Sequence, residues 1–221
     1  MNVVITGANR GLGLGFVQHY LEQGANVWAC YRSHSSGVAS INAKLLHQVQ
    51  LDVSQPFDAS KFPDTIDLLI NNAGIYGPGK EGQMLEKVTP EAMLEVFDID
   101  CVGPLRVVQT LKDKVIKAKG TIANISSKMG SSADNGSGGT YAYRAAKAAL
   151  VIVSKSMAID LKSYGVKVIT LHPGWVTTDM TNHTGLIDVE TSVMGMTKVI
   201  ASIDDYEPGA FVAFDGKLIP Y

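Results

Sequence analysis

Short β-branched runs alternate with helix-spaced segments along the whole of this chain, and that alternation limits the fold more than any single motif does. Runs over residues 3–5, 26–31, 46–53, 66–70, 120–125, 166–171 and 209–214 read as strands. Helical spacing is predicted over 14–23, 91–117, 141–164 and 190–202, with a polar, weakly helical stretch over 33–44. Such alternation sets successive strands parallel with helices over both faces. The expected class is therefore α/β, a doubly wound parallel sheet of about seven strands. Thr89-Pro90-Glu91 is a capped helix start, while Asp98, Asp100 and Gly103-Pro104 further along predict a kink that leaves some carbonyls unpaired.

The first strand runs straight into Thr6-Gly7-Ala8-Asn9-Arg10-Gly11-Leu12-Gly13 and then a helix. Glycines at that junction let backbone approach a pyrophosphate, and the free N–H groups and dipole of the first helical turn favour its charge. The strand at 26–31 closes a βαβ unit of the length a dinucleotide fold requires. At its end an NAD site usually places a carboxylate for the ribose 2′-hydroxyl, whereas this chain has Arg32, with Arg10 already in the glycine loop. Two cations without a carboxylate favour a 2′-phosphate, and the alternative is that both are simply solvated. Asp52, at a strand end, suits either an adenine amino group or a cap. Asn71-Asn72-Ala73-Gly74 follows the fourth strand, and its small residues allow a ribose and nicotinamide to pass over the sheet edge.

Tyr143 and Lys147 stand four apart among good helix formers, so a phenol and an ammonium share one helix face. Tyr76 and Lys80 have the same spacing, but Gly77, Pro78 and Gly79 between them read as a turn with no common face. Ser126 and Ser127 end the fifth strand, and a Gly/Ser-rich loop over 128–140 leads to the tyrosine helix. The sixth strand ends in His172-Pro173-Gly174-Trp175-Val176-Thr177-Thr178-Asp179-Met180, another strand edge carrying a turn and hydroxyls.

With 221 residues the chain is expected to form one domain that buries roughly 70 per cent of its unfolded surface. Its formal net charge of -2 lacks the basic excess of a nucleic-acid binder, which points to a small-molecule or protein partner. Cys30 and Cys101 lie singly in apolar segments, as reduced buried thiols do, and the histidines are scattered without metal-ligand spacing. There is no secretory signal pattern and no apolar run of the roughly 18 residues a membrane span needs. The expected location is cytoplasmic, with no metal, no membrane and no nucleic acid.

Thr6-Gly7-x-x-x-Gly11-x-Gly13, Asp52-Val53, Asn71-Asn72-Ala73-Gly74, Ser127, Tyr143-x-x-x-Lys147 and Pro173-Gly174-x-Val176-x-Thr178 together resemble the short-chain dehydrogenase/reductase family over nearly the whole chain. Tyr143-Arg144-Ala145-Ala146-Lys147, the His172 to Met180 segment and the closing Asp215 to Tyr221 look like its C-factor and sniffer-type carbonyl reductase branch. The resemblance implies a Rossmann-type fold with a dinucleotide-binding N-terminal half and a substrate site in the C-terminal half. It also implies NADP(H), a small carbonyl or alcohol substrate, and a homodimer or homotetramer paired through the helices that begin near Glu91 and Tyr141. The implied cofactor contacts are Gly7, Asn9, Arg10, Gly11, Leu12, Gly13, Arg32, Asp52, Val53, Asn72, Ala73, Gly74, Tyr143, Lys147, Pro173, Gly174, Val176 and Thr178.

By the same resemblance Tyr143 is the proton donor, Lys147 its tuner and ribose anchor, and Ser127 the guide of the carbonyl. Moving a phenol about 3 units toward neutrality takes roughly 4 kcal/mol of phenolate stabilisation, which Lys147 and a nicotinium charge can supply. The family usually has Asn where this chain has Asp100. If the Asn serves to hold the kink and offer a carbonyl, Asp replaces it; if its amide must donate, catalysis slows. The loop over 128–140 is longer than the family's common spacing and either reshapes the mouth of the site or is a surface insertion. The expected activity is reduction of a ketone or aldehyde, the alternative being a cofactor-binding signalling protein with little or no turnover. An extended-type epimerase or dehydratase is disfavoured, because no large C-terminal substrate domain remains.

Overall fold

β1 (Asn2–Thr6) is the centre of the molecule, with Val3, Val4 and Ile5 fully buried and parallel partners on both sides. The computed structural model describes residues 1–33 and 36–221. From β1 the chain passes through α1 (Gly11–Glu22), β2 (Asn26–Tyr31), α2 (Ser36–Ala39), β3 (Leu46–Gln50) and β4 (Leu68–Asn71). It continues through α3 (Gly79–Gly82), α4 (Pro90–Phe97), α5 (Gly103–Ala118), β5 (Thr121–Ile125), α6 (Tyr141–Leu161), β6 (Lys167–His172), α7 (Val189–Ala201) and β7 (Phe211–Ala213). All strand pairs are parallel, in the order β3-β2-β1-β4-β5-β6-β7. Because β4 returns to the far side of β1, the winding reverses between these two strands. In such sheets ligands bind outside the carboxyl ends of the strands at that reversal.

Strand side chains alternate between two apolar layers, which is why nearly every strand position is apolar. Ile5, Ile70, Ile125 and Leu171 face α1 and α7, packing on Phe16, Val17, Val193 and Met196. Val4, Leu69, Ile122 and Val168 face α5 and α6, packing on Val107, Leu111, Met157 and Leu161.

The kink expected within 91–117 takes a definite form. Thr89 caps α4 by accepting from the Ala92 N–H (3.2 Å), and a π turn (Asp98–Val102) then separates α4 from α5. The Gly103 N–H reaches back five residues to the Asp98 carbonyl, and Pro104 offers no N–H to the turn before it. Arg106 ties this turn to the end of β3's loop, donating to the Val53 carbonyl and to Asp98 Oδ1 (3.0 Å).

Other boundaries move slightly. β3 stops at Gln50 rather than at Val53, because Asp52 Oδ1 accepts from the Ser54 N–H (2.9 Å) and hydroxyl (2.8 Å) and turns the chain. The expected helix over 141–164 is α6 followed by a 3₁₀ turn (Lys162–Tyr164), and Gly165 ends it at φ 77°. Of the weakly helical stretch over 33–44, α2 is helical, and residues 34 and 35 lie outside the described residues. Among the described residues no helix is long and apolar enough to cross a membrane.

Candidate active site

The carboxyl edges of β1, β4, β5 and β6 bring the motif residues to one side of the sheet. The glycine loop and the Asn71 to Gly74 turn are interlocked. The Thr6 hydroxyl accepts from the N–H groups of Asn72 and Ala73 (both 3.0 Å), while the Asn72 amide donates to the carbonyls of Thr6 (3.0 Å) and Gly7 (3.1 Å). This closeness requires glycine at two positions. Gly7 has φ +64° and a Cβ there would lie 2.8 Å from Ala73 Cα, while a Cβ on Gly13 would collide with the Gly7 carbonyl. The start of α1 has no capping side chain and no acid in its first turn, so its N–H groups are left for a ligand.

A cleft of about 400 Å³ beside this loop is lined by Arg10, Arg32, Gly74, Tyr76, Glu95 and Asp179. Arg10 and Arg32 thus reach the same space, Arg10 paired at 3.2 Å with Asp179 from the segment after β6. That segment folds back on itself, with Thr177 N–H donating to the Ile187 carbonyl (2.9 Å) and Leu186 N–H to the Trp175 carbonyl (2.7 Å). Thr178 stands against Gly11, and Val176 is buried. The Pro173 carbonyl accepts from the Ser192 hydroxyl (2.6 Å), and Gly174 turns at φ +86°. Asp52 does not reach the cleft lining; its Oδ1 is occupied by Ser54.

Tyr143 and Lys147 project from one face of α6, as their spacing predicts, and both are buried. Lys147 Nζ lies 5.6 Å from the Tyr143 ring centroid, donates to the Ile125 carbonyl (3.1 Å) and stands 3.1 Å from Asp100 Oδ2. Asp100 is fully buried in the π turn, its other oxygen accepting from the Ile75 N–H (2.8 Å). Burial alone would lower Lys147, but Asp100 holds its ammonium above the usual lysine range. Ser127 enters from the end of β5, where its hydroxyl accepts from the Met129 N–H (3.2 Å) and lies close enough to Tyr143 to stabilise a phenolate. The same loop is fastened to α6 by the Ser126 hydroxyl on the Lys147 carbonyl (2.9 Å) and by Arg144 on the Met129 carbonyl (3.1 Å).

The Tyr143 phenol stands under opposing influences. Burial raises the Tyr143 phenol above its ordinary value, and Lys147 and Ser127, which lower it, are opposed by Asp100 and Tyr76. Lys147 does not act on the phenol as an isolated cation, because its countercharge is beside it.

Three side chains whose roles give no sequence signal also shape the site. Gln83 is fully buried and stands in for the missing N-cap of α6, since Thr140 has φ 54° and makes no capping bond. Its Oε1 accepts from the N–H of Tyr143 itself (2.9 Å), its carbonyl from the Tyr141 N–H (3.3 Å), and its Nε2 donates to the Tyr76 carbonyl (2.6 Å). Tyr76, whose spacing to Lys80 is indeed only a turn, instead packs its ring on Tyr143 with centroids 5.1 Å apart. His172 is the third: its Nδ1 accepts from the Lys128 N–H (3.2 Å), next to Ser127. Burial and the Lys128 ammonium pull it down to about 4. Among the described residues no group of His, Cys, Asp and Glu side chains assembles into a metal-binding cluster.

The model of the short chain dehydrogenase family matches residues 1–186. The chain belongs to that family. Within this short-chain dehydrogenase, similarity extends to C-signal of Myxococcus xanthus, 38% identical over 157 residues that cover 71% of this chain and 93% of that protein. In structure it is similar to the carbonyl reductase Sniffer of D. melanogaster, with TM-score 0.91 and 29% identity over 100% of this chain and 99% of that one. It is also similar to an NADPH-bound carbonyl reductase from chicken fatty liver, with TM-score 0.86 and 30% identity over 100% and 98% of the two chains. The resemblance to the reductase branch and the expected fold agree with these likenesses.

Two stability outcomes are expected. Gln83→Met strands the Tyr143 N–H in an apolar site and should cost about 1–3 kcal/mol, read as a lower urea midpoint, with Gln83→Glu recovering part of it. For His172 the folded value, about 4, lies below the unfolded 6.5. Its contribution is whole above pH 6.5 and is lost as pH falls toward 4, where the unfolded chain takes a proton that the native ring refuses. His172→Gln should remove up to ~3 kcal/mol of the acid-side loss in urea unfolding measured across that window.

Proposed function

We propose that this short-chain dehydrogenase is an NADP(H)-dependent carbonyl reductase in which Tyr143 donates the proton. The observation that carries this reading is the meeting of Tyr143, Lys147 and Ser127 at the sheet edge beside a glycine cradle with arginines at its mouth. The Sniffer carbonyl reductase and the NADPH-bound chicken enzyme support both the reaction class and the cofactor.

The residues present fit a phosphorylated dinucleotide. Gly7 and Gly13 leave a hollow that side chains would fill, Gly11, Asn9 and Leu12 continue it at the uncapped start of α1, and Arg10 and Arg32 supply positive charge for a 2′-phosphate. Asn72, Ala73, Gly74 and the Pro173 to Thr178 turn would hold the other end, with Val53 bordering the base. When bound, the reduced cofactor supplies the hydride, two electrons with a proton, to the carbonyl carbon. The chain's own work is on the oxygen. Ser127 orients it by hydrogen bonding, and the proton passes from Tyr143 Oη to the alkoxide as the C–O double bond becomes single. Lys147 stays charged beside the phenol, and Asp100 with the Ile125 carbonyl keeps its ammonium in place. Ile75, Pro78 and Met180 line the same cleft and give it an apolar border, which suits bulky carbonyl compounds.

Purified protein should oxidise NADPH in the presence of small aldehydes, ketones or aromatic diketones, and Tyr143→Phe should lower kcat by about 10²–10⁴-fold. Activity surviving that change would rule out the proton-donor role. Cofactor binding without turnover across the panel would favour a signalling role, the second reading, which the similarity to C-signal supports. Replacing Arg10 and Arg32 by alanine together should weaken NADPH binding by at least ~tenfold and leave NADH binding nearly unchanged, measured by fluorescence titration.

A further inference from the structure

The buried cluster behind Tyr143 contains a carboxylate where an amide would leave Lys147 as the only charge. Asp100 Oδ2 is 3.1 Å from Lys147 Nζ, Asp100 Oδ1 accepts from the Ile75 N–H at 2.8 Å, and neither side chain is open to water. Burial raises the Asp100 carboxyl while Lys147 and the Ile75 N–H hold it down, and beside a charged Lys147 an acid proton would face only donors, an ammonium and an N–H, so the geometry fits the ion pair. A Cβ on Gly74 would lie 3.2 to 3.3 Å from both Asp100 oxygens and from Lys147 Nζ, so the Gly74 backbone lies directly against the pair.

The groups that face Tyr143 come from each element packed on it. Lys147 stands on its own helix, Asp100 in the π turn, Ser127 at the end of β5, and Tyr76 in the loop after β4. Cys101, also in the π turn, stays a thiol, its value pushed up to about 11 by burial. Among the described residues the full charges facing Tyr143 are thus one positive and one negative, in contact with each other. In a dry site an isolated ammonium near a phenol acts strongly, whereas a contact ion pair presents a dipole whose effect falls off quickly.

We propose that Asp100, by pairing with Lys147, denies Tyr143 the isolated cation that would acidify it, so that the buried Tyr143 stays a phenol through neutral and mildly alkaline pH and the alkaline limit of carbonyl reduction lies correspondingly high. The proposal rests on Tyr143 being the proton donor of the reductase reading. Reduction consumes the phenol: the proton leaves Tyr143 Oη for the substrate oxygen and is replaced from solvent. Oxidation needs the phenolate to take the alcohol proton, and the ion pair withholds the cation that would stabilise it. The overall equilibrium is untouched; only the pH range in which each direction runs fast is displaced. Asp100 acts through Lys147 and is a positioning residue.

The test is a pH titration of tyrosinate absorbance on the cofactor-free protein, with Tyr143→Phe subtracted so that only Tyr143 is read. Wild type should show a Tyr143 midpoint at or above about 10, or no Tyr143 signal below that pH. Asp100→Asn should move the midpoint down by about one unit or more, carry the alkaline limit of diketone reduction down with it, and raise the alcohol oxidation rate at fixed pH about tenfold per unit. A substitution that merely loosened the fold would lower both rates without that directed displacement. A wild-type Tyr143 that titrates well below 10, or an Asp100→Asn midpoint equal to wild type, overturns the proposal. If Asp100→Asn does not fold, Asp100→Ser, which also removes the charge, is read in its place with the same two outcomes. The titration needs no turnover, so an inactive protein that titrates as expected sinks the reductase reading alone, and an active one with a low midpoint sinks the Asp100 assignment alone.

Discussion

A lysine that is 5% exposed has to be partnered, and the partners of Lys147 organise everything around it. One is the Ile125 carbonyl at the end of β5, which sets how far α6 lies over the sheet; the other is Asp100. To reach the ammonium, Asp100 must leave the regular helical path, and its second oxygen draws in the chain just after β4 through Ile75. Three separate parts of the chain are therefore fastened at one charge. Tyr143, a turn away on the same helix, inherits its position from that fastening and from Gln83 at its own N–H.

The nucleotide side has a comparable clamp built from neutral groups. Thr6 and Asn72 exchange hydrogen bonds across the reversal of the sheet, so the glycine loop and the turn after β4 cannot move independently. Deeper in the same edge Asn71, Asn124 and Ser154 continue the polar line from β4 through β5 to α6, with bonds of 2.8 Å at each step. Buried side-chain networks of this kind specify geometry more than they stabilise. The cofactor side and the proton side of the cleft are thereby parts of one rigid sheet edge.

Much of this was legible in the sequence because it rests on local rules. Glycines at a strand-to-helix junction, Thr89-Pro90-Glu91 as a helix start, and Tyr143 with Lys147 on one face each need only a few neighbouring residues to be interpreted. The apolar run over 46–53 overstates β3, because Asp52 and Ser54 form a turn whose signal is weaker than that run. Gln83 and Tyr76 were invisible for another reason: their roles are set by residues about 60 positions away, and a glutamine in a loop has no periodicity. Asp100 was placed correctly in the kinked segment, but the sign of its effect on Tyr143 depends on a contact that only the folded chain shows. The loop over 128–140 is also tied down: Ser131 donates to the Pro220 carbonyl and Ala133 to that of Tyr221, so the loop leans on the C-terminal segment that follows β7.

The π turn has a consequence for which changes of length this chain can tolerate. Each helical residue advances the side chain by about 100°, so the extra residue in the turn rotates α5 relative to α4 by that amount. α4 buries Val96, while α5 buries Val107, Leu111 and Val115 against the sheet. Deleting one residue between them would restore a regular helix, and then either Asp100 would swing away from Lys147 or the α5 stripe would leave the core. Loops at the rim can lengthen or shorten at little cost, whereas here a single-residue deletion sets the core and the reaction centre against each other.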